Sequence, residues 1–358
     1  MTIKNRQIIK RTIFKFQSIL IIMEYKKVFI TNIPAFYKIS LFNEIAKREA
    51  IHVIFISNMD SNRNKDFVKG KLMFDHTFLS KGFWNQIRTI QVFMNKNTYE
   101  EIVISGWDSL LYWVIIFLSQ KRKNSCIIES SIYESSTKGL KGLMKKIFVS
   151  RLSKVYPSGF LQEELINALN FKGKRIRYGG CGILNYQPQP PYIPRNEVKN
   201  FLYVGRLAPE KSLELLIHVF NKKPDLNLTI IGFGMLEDKL KASANENISF
   251  TGAIDNEELP AYYRQADVFI LPSKSEPWGL VVEEALNNGT PVIVSDRVGC
   301  RKDLVNENTG LVFNYDSEQS LSDVINSVCD VTTYNKLRKG VSYLDFKARV
   351  RHQIESFL

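Results

Sequence analysis

Cysteine is scarce: Cys126, Cys181, Cys300 and Cys329 stand far apart among 358 residues, in none of the paired spacings that hold a metal. That argues against a disulfide-stapled scaffold and a cysteine metal site, and leaves a reduced chain suited to the cytosol. Histidine is also rare, at four residues, and no aspartate-x-aspartate pair or cluster of histidines and carboxylates occurs to suggest a divalent-ion site. Long apolar runs are missing. The run 19–23 is too short for a signal segment or a membrane span. The run 110–118, with Trp113 and Phe117 four apart, cannot cross a bilayer either and reads as a buried helix. The loop 31–38 lacks the glycine fingerprint of dinucleotide binding, which turns the N-terminal half toward another kind of ligand. No internal repeat or low-complexity tract occurs.

What the chain does have is length and positive charge. It exceeds one small core and fits two domains of about 170 residues each. Hydrophobic residues at 44% and charged residues at 24% describe an ordinary globular protein rather than a disordered one. Lys and Arg number 49 against 36 Asp and Glu, a net charge of +13, which calls for an anionic partner: nucleotide, anionic lipid or nucleic acid. Nucleic acid fits least, because the aromatics are not interleaved with the basic runs as stacking platforms require. Two basic stretches carry apolar stripes. In 1–23, Lys4, Arg6, Lys10, Arg11 and Lys15 mix with Ile9, Ile13, Phe16 and Leu20, which reads as a basic amphipathic helix on an anionic membrane face or as an extension ahead of a start at Met23. In 138–152, Lys138, Lys141, Lys145, Lys146 and Arg151 lie among Leu140, Leu143, Ile147 and Phe148. That helix either rests on lipid headgroups or turns a solvated basic face outward.

Strand and helix patterns alternate in both halves. Strands at 27–30, 52–56, 102–105 and 126–129, with a helix between the first two, make the N-terminal half α/β; residues 58–82 read as a polar, basic loop or short strands. Pro188, Pro190, Pro191 and Pro194 mark an extended linker between the halves. Beyond it, a strand ends at Gly205, with Arg206 and Lys211 on the loop into a helix over 207–220. Further strands end at Gly232 and Gly252.

Residues 272–295, PSKSEPWGLVVEEALNNGTPVIVS, run from the end of a strand through a loop and a helix into the next strand. In parallel sheets ligands sit beyond the carboxyl ends of the strands, which is where this loop lies. The helix opens near Gly279 and leaves the amides of Gly279, Leu280 and Val281 without intrahelical partners, an anion site reinforced by the helix dipole. Glu276 and Glu284 frame it, while Glu283 lies about 100° round the helix and faces elsewhere. A carboxylate that accepts two hydroxyl hydrogen bonds suits a ribose diol, and one in the loop suits a sugar hydroxyl. Arg206 and Lys211, at another strand's carboxyl end, can neutralise a diphosphate. Acidic first turns and solvated surface cations are common, so position alone does not assign these residues.

The arrangement of Glu276, seven residues and Glu284, with Pro277, Trp278 and Gly279 after the first glutamate and Ala285 after the second, resembles the donor-sugar signature of glycosyltransferase family 4, retaining enzymes of the GT-B fold. Residues 204–211 are similar to that family's VGRL-PEK segment, 232–234 to its GxGP turn with Met235 in place of proline, and 299–304 to its GGxxE segment, departing at Cys300 and Asp303. Asp303 is expected to be structural. The resemblance implies an α/β GT-B architecture, two Rossmann-like domains with parallel sheets facing across a cleft. Its parts would be a basic extension (1–23), an acceptor-binding domain (24–185), a linker (186–198), a nucleotide-sugar donor domain (199–330) and a C-terminal helix (331–358) returning to the first domain.

The same resemblance implies catalytic roles for Glu276, Arg206 and Lys211. Donor binding would fall to Gly205, Gly232, Gly252, Trp278, Gly279, Leu280, Val281 and Glu284. On the acceptor side stand Trp107, Glu129 and Tyr133; many members carry a histidine near Glu129, and here Glu129 or Glu134 would take any polar role. The implied reaction moves a sugar with retention, without metal or cofactor, from a nucleoside-diphosphate sugar, UDP first, to a glycan or lipid-linked acceptor. The expected setting is cell-surface polysaccharide synthesis in the cytoplasm, at the inner face of the membrane. A GT-B epimerase or a pyridoxal-dependent phosphorylase is the alternative on the same fold, and a basic nucleic-acid binder the alternative outside it.

Overall fold

The computed structural model describes residues 23–57 and 70–358, so all of the expected extension (1–23) but Met23, and residues 58–69, lie outside the described residues. Seven strands form the first sheet: β1 (Glu24–Thr31), β2 (Ile51–Phe55), β3 (Asp75–Phe78), β4 (Thr98–Ile104), β5 (Asn124–Ile128), β6 (Lys154–Pro157) and β7 (Lys174–Arg175). Between them run α1 (Phe36–Ala46), α2 (Phe83–Lys96), α3 (Leu110–Leu118), α4 (Gly139–Ser150) and α5 (Phe160–Ala168). The sheet order is β3-β2-β1-β4-β5-β6-β7 with every pairing parallel. Parallel sheets are covered on both faces, which is why β2 and β5 are buried along their whole length rather than alternating.

The second sheet repeats the plan with β8 (Asn200–Val204), β9 (Asn227–Ile231), β10 (Ile248–Gly252), β11 (Val268–Leu271), β12 (Val292–Ser295) and β13 (Gly310–Phe313). Its helices are α6 (Leu213–Asn221), α7 (Glu237–Ser243), α8 (Leu259–Gln265), α9 (Leu280–Asn287), α10 (Arg301–Leu304), α11 (Glu318–Cys329) and α12 (Val331–Val341). The order β10-β9-β8-β11-β12-β13 reverses between β8 and β11. At such a switch point the loops leaving the two strands part in opposite directions and open a crevice. The loop after β8 carries Arg206 and Lys211, and the loop after β11 carries Glu276, so topology alone brings the two sequence segments together.

One polar anchor ties the linker to the second domain. Asp267, almost fully buried, takes Arg195 Nη1 of the linker at 2.5 Å and the amides of Lys199 and Asn200 at 3.0 and 2.9 Å, which fixes where the second domain starts. The C-terminal segment departs from expectation, because 331–358 holds two helices rather than one. Asp330 caps α12 by accepting from Thr333 N, and Asp345 caps α13 (Phe346–Glu355) by accepting from Ala348 N, each at 2.8 Å. α12 stays on α11; α13 crosses to α1, and Phe357 enters the first core against Phe29, Tyr156 and Tyr178. The helix expected to be buried at 110–118 is only half so. Leu111, Tyr112, Ile115 and Ile116 are inside while Leu110, Phe117 and Leu118 are out, a division that a run of apolar residues without a polar face cannot reveal.

Candidate active site

Gly279 opens α9 at φ +99°, in the left-handed region that a side chain would strain, and any Cβ there would press on Val298 and Leu271. The turn aims the first amides of α9 at the crevice. Among the described residues, the amides of Gly279, Leu280 and Val281 find no acceptor, and the first bond of the helix runs from Val282 N to Gly279 O at 2.9 Å. Gly232 is required for a different reason. Its Cα packs on the carbonyl of Gly205, so a Cβ would collide there; with Leu207 N donating to Phe233 O at 2.9 Å, the loops after β8 and β9 are closed against each other. Gly252 ends β10 at φ +75° beside them.

Lys211 closes a 3-10 turn (Pro209–Lys211), and the next residue, Ser212, is held at φ 53°, a costly conformation outside glycine. The expected helix over this segment therefore starts only at Leu213. The kink delivers Lys211 Nζ onto Glu276 Oε2; the side chains are only 12% and 13% exposed, and Ser273 Oγ donates to the same oxygen at 3.4 Å. Arg206 shares the loop but reaches outward. Its guanidinium is 57% exposed and pairs with Glu210 at 2.8 Å, while its carbonyl is fixed by the Tyr203 hydroxyl.

The two glutamates of α9 diverge as helical geometry requires. Glu284 accepts from the Tyr263 hydroxyl at 2.8 Å and borders a cavity of ≈ 310 Å³ shared with Phe36, Tyr186, Asn256 and Asn287. Burial, helped by the charge of Glu283 and opposed by the tyrosine hydrogen bond, raises its pKa to about 7. Glu283 is fully buried and points to the hinge, where it accepts from Tyr186 Oη at 2.6 Å, Trp278 Nε1 at 3.2 Å and Arg349 Nε of α13 at 3.2 Å. Trp278 is thereby a correction to the donor-binding set: its indole is buried against Glu283 and Gly159 and does not reach the crevice.

The first domain meets these loops with residues that differ from most of those expected. Glu134 accepts from Ser275 Oγ at 3.0 Å, and its pKa is raised first by burial and further by the charge of nearby Glu276. Tyr133 lies over the Arg297 guanidinium, 4.4 Å from ring to charge, and its hydroxyl accepts from Arg301 Nη2 at 3.1 Å; the Tyr315 ring also packs on Arg297, at 4.5 Å. Glu129 instead pairs with Lys38 at 2.9 Å on its own side. Trp107 faces away, packed on Phe148 and under Lys145. Both carboxylate oxygens of Asp303 accept from Phe160 N, at 3.3 and 3.1 Å, so a residue of the second domain caps α5 of the first. Burial lifts its pKa to about 6 against the pull of that amide. Arg297, Arg301, Tyr263 and Lys38 carried no motif: Arg297 follows the end of β12, while Lys38, Tyr263 and Arg301 lie in helices, where no sequence signal marked them.

Comparison with known proteins identifies the second half. Residues 190–341 match the model of the family described as "Glycosyl transferases group 1". The second half of the chain is thus similar to that family. The sulfoquinovosyl transferase of Arabidopsis thaliana is 38% identical over 135 residues, 36% of this chain and 25% of that protein. An uncharacterized 41.2 kDa protein from the cps region of Klebsiella pneumoniae is 28% identical over 250 residues, 65% of this chain and 63% of that protein. The chain thus spans from a quarter to under two thirds of the length of these curated relatives. Anabaena HepE, solved in complex with UDP and glucose, superposes with a TM-score of 0.66 at 15% identity, covering 92% of this chain and 99% of that one. The chain therefore has the GT-B fold, two Rossmann-like domains with parallel sheets across a cleft, and the matched residues lie in its second half.

Proposed function

We propose that this chain is a retaining, metal-independent glycosyltransferase of family 4 that moves a sugar from a nucleoside-diphosphate sugar to a glycan or lipid-linked acceptor in cell-surface polysaccharide synthesis. The observation that carries the reading is the contact of Lys211 with Glu276 beside the unpaired amides of Gly279, Leu280 and Val281, at the switch point of the second sheet. A diphosphate laid on those amides meets Lys211, whose ammonium has three donors and can hold Glu276 and a phosphate oxygen together. Arg206 turns in from Glu210 to share the charge. These cations and amides neutralise the leaving diphosphate where other designs use a divalent ion. Glu276, oriented by Lys211, accepts from a hydroxyl of the sugar; Glu284, beside its cavity, accepts from the ribose. The departing phosphate helps to take the acceptor proton, with Glu134, the first-domain carboxylate that Ser275 holds beside the donor loop, as a second acceptor.

The UDP and glucose bound by Anabaena HepE make a uridine diphosphate sugar the first donor to try. The cps-region relative agrees with a capsular or other surface glycan as product. In this reading the enzyme works in the cytoplasm at the inner membrane face, where lipid carriers present their glycans. Replacing Glu276 or Arg206 with alanine and following nucleotide release from candidate donors tests the assignment. Turnover is expected to fall by about 10²-fold or more for Glu276→Ala, the scale of losing one preorganised transition-state contact. Undiminished turnover in both variants would refute the site.

A further inference from the structure

Helix α4 carries apolar surface on opposite sides. Gly142, Phe148 and Val149 are packed inward, as a surface helix requires. The outward side should then be polar, yet Leu140, Leu143, Met144 and Ile147 are 74, 55, 48 and 46% exposed. Their spacing of three and four residues sets them in one stripe along the helix, opposite the packed face. Lys141 and Lys146 flank that stripe on either side, and the helix carries no acidic residue. The outward face is therefore not a purely basic one: the apolar side chains reach water together with Lys141 and Lys146.

The patch continues onto α3. Trp113 packs edge-on to Phe148 with ring centres 4.8 Å apart, and the Arg151 guanidinium lies 5.3 Å from the ring centre of Phe117. Leu110, Phe117 and Leu118 of α3 are 66, 46 and 62% exposed. Seven large apolar side chains on two neighbouring helices exceed what scattered surface hydrophobics explain. Beside the C-terminal half of α4 lies a groove of ≈ 380 Å³ with Val149, Leu152 and Phe171 as its apolar wall and Lys121, Lys146 and Lys172 among its polar lining. An apolar wall with ammonium groups around it matches a phosphate-bearing lipid, which offers an acyl chain and an anion at adjacent depths.

We infer that the α3–α4 face is a docking surface for an anionic bilayer, with the Leu140–Ile147 stripe entering the headgroup boundary and the Lys121–Lys146–Lys172 groove taking a lipid phosphate. Charge complementarity selects this occupant. A second copy of the chain would bring Lys141 and Lys146 against their own equivalents, whereas anionic headgroups are attracted to them. The loop before α4 also holds Tyr133 and Glu134, which border the crevice, so a docked α4 keeps the acceptor side close to the membrane. This deepens the membrane-side acceptor of the proposed function and rests on it for its purpose, but not for its test.

The test is co-sedimentation of the full chain with vesicles of phosphatidylglycerol and phosphatidylcholine, or of phosphatidylcholine alone. The expected result is partition at least tenfold higher into the anionic vesicles, reduced when salt is raised. The variant Leu140→Ser/Leu143→Ser/Ile147→Ser is expected to lose vesicle binding, and Lys121→Gln/Lys146→Gln to weaken it about fivefold for each lysine removed. All five side chains are exposed, so both variants should keep the melting temperature of the parent chain. Equal partition into both vesicle types, or either variant binding like the parent, would overturn the assignment. So would light scattering that shows a dimer abolished by the triple substitution, since the face would then belong to a second copy. Arg206→Ala separates the two readings: it should bind vesicles as the parent does while losing turnover. Vesicle binding by a parent chain that releases no nucleotide from any donor would refute the enzyme reading and leave the surface standing.

Discussion

The carboxyl edges of the two sheets are built from different materials. In the second domain β8, β9, β10 and β11 are each followed or ended by a glycine with positive φ, at Gly205, Gly232, Gly252 and, after a longer loop, Gly279. In the first domain β1, β2 and β5 run directly into side chains, at Asn32, Ile56 and Glu129, and among the described residues the positive-φ glycines stand close to β4 at Gly106 and deeper in the loops after β2, β3 and β5 at Gly70, Gly82 and Gly139. Glycine lets backbone amides approach a ligand closely, which suits a charged group common to many ligands. Side chains read shape and hydroxyl pattern, which vary from one acceptor to another. The second domain's edge is thus suited to backbone contact with a ligand and the first domain's edge more to contact by side chains.

The largest break of this contrast comes from the second domain's edge. Lys211→Ala is expected to lower turnover by about 10²- to 10³-fold, as loss of a contact to the leaving group does, with the fold intact by circular dichroism. A drop below tenfold would mean that the α9 amides suffice. Next comes Glu284. Its pKa, raised to about 7 by burial, leaves the ligand-free carboxyl mostly protonated at pH 6 and ionised at pH 8. Ribose hydroxyls donate best to the carboxylate, so donor affinity is expected to rise with pH through about 7, and Glu284→Gln to flatten that profile while weakening binding about tenfold, the scale of one lost hydrogen bond to a charged group. Stability runs the other way. A carboxyl whose folded pKa lies above its ordinary 4.5 favours the fold at low pH, and that contribution disappears as pH rises toward about 7. Thermal melts of parent and Glu284→Gln across pH 5 to 8 check the sign.

A smaller effect sits at the joint between the two edges. Asp303→Ala removes the cap that the second domain places on α5, at an expected cost of about 1 kcal/mol in thermal unfolding. Asp303→Asn should recover part of it, because the amide oxygen still accepts from Phe160 N. The smallest belongs to Trp107, which packs on α4 rather than facing the crevice; Trp107→Phe should change donor kinetics by less than about 0.5 kcal/mol. A larger loss in donor turnover would restore it to the site.

The same contrast explains what the sequence made legible. The placement of Glu276, Glu284, Lys211 and the glycines could be read because it follows from local rules: a helix start, a strand end, a spacing along one helix. Trp278 was misassigned because a residue next to a motif glutamate looks like part of the site, while its ring direction depends on Glu283 and Gly159, the latter more than a hundred residues away. Glu134, rather than Glu129, reaches the donor loop because the turn after β5 swings the later residue across the cleft, and no periodicity records that turn. The break between α12 and α13 was legible in principle, since Asp330 and Asp345 are both capping residues. The leucines of α4 were visible as a stripe, but only packing decides which stripe of a doubly apolar helix faces water.

Calorimetric titration of UDP and GDP, each against its own nucleoside, tests most directly whether the loops after β8 and β11 and the start of α9 form one diphosphate site. One diphosphate is expected to bind the parent chain at least tenfold more tightly than its nucleoside, with Lys211→Ala removing most of that advantage. Equal affinity of diphosphate and nucleoside, or an advantage untouched by Lys211→Ala, would contradict the account.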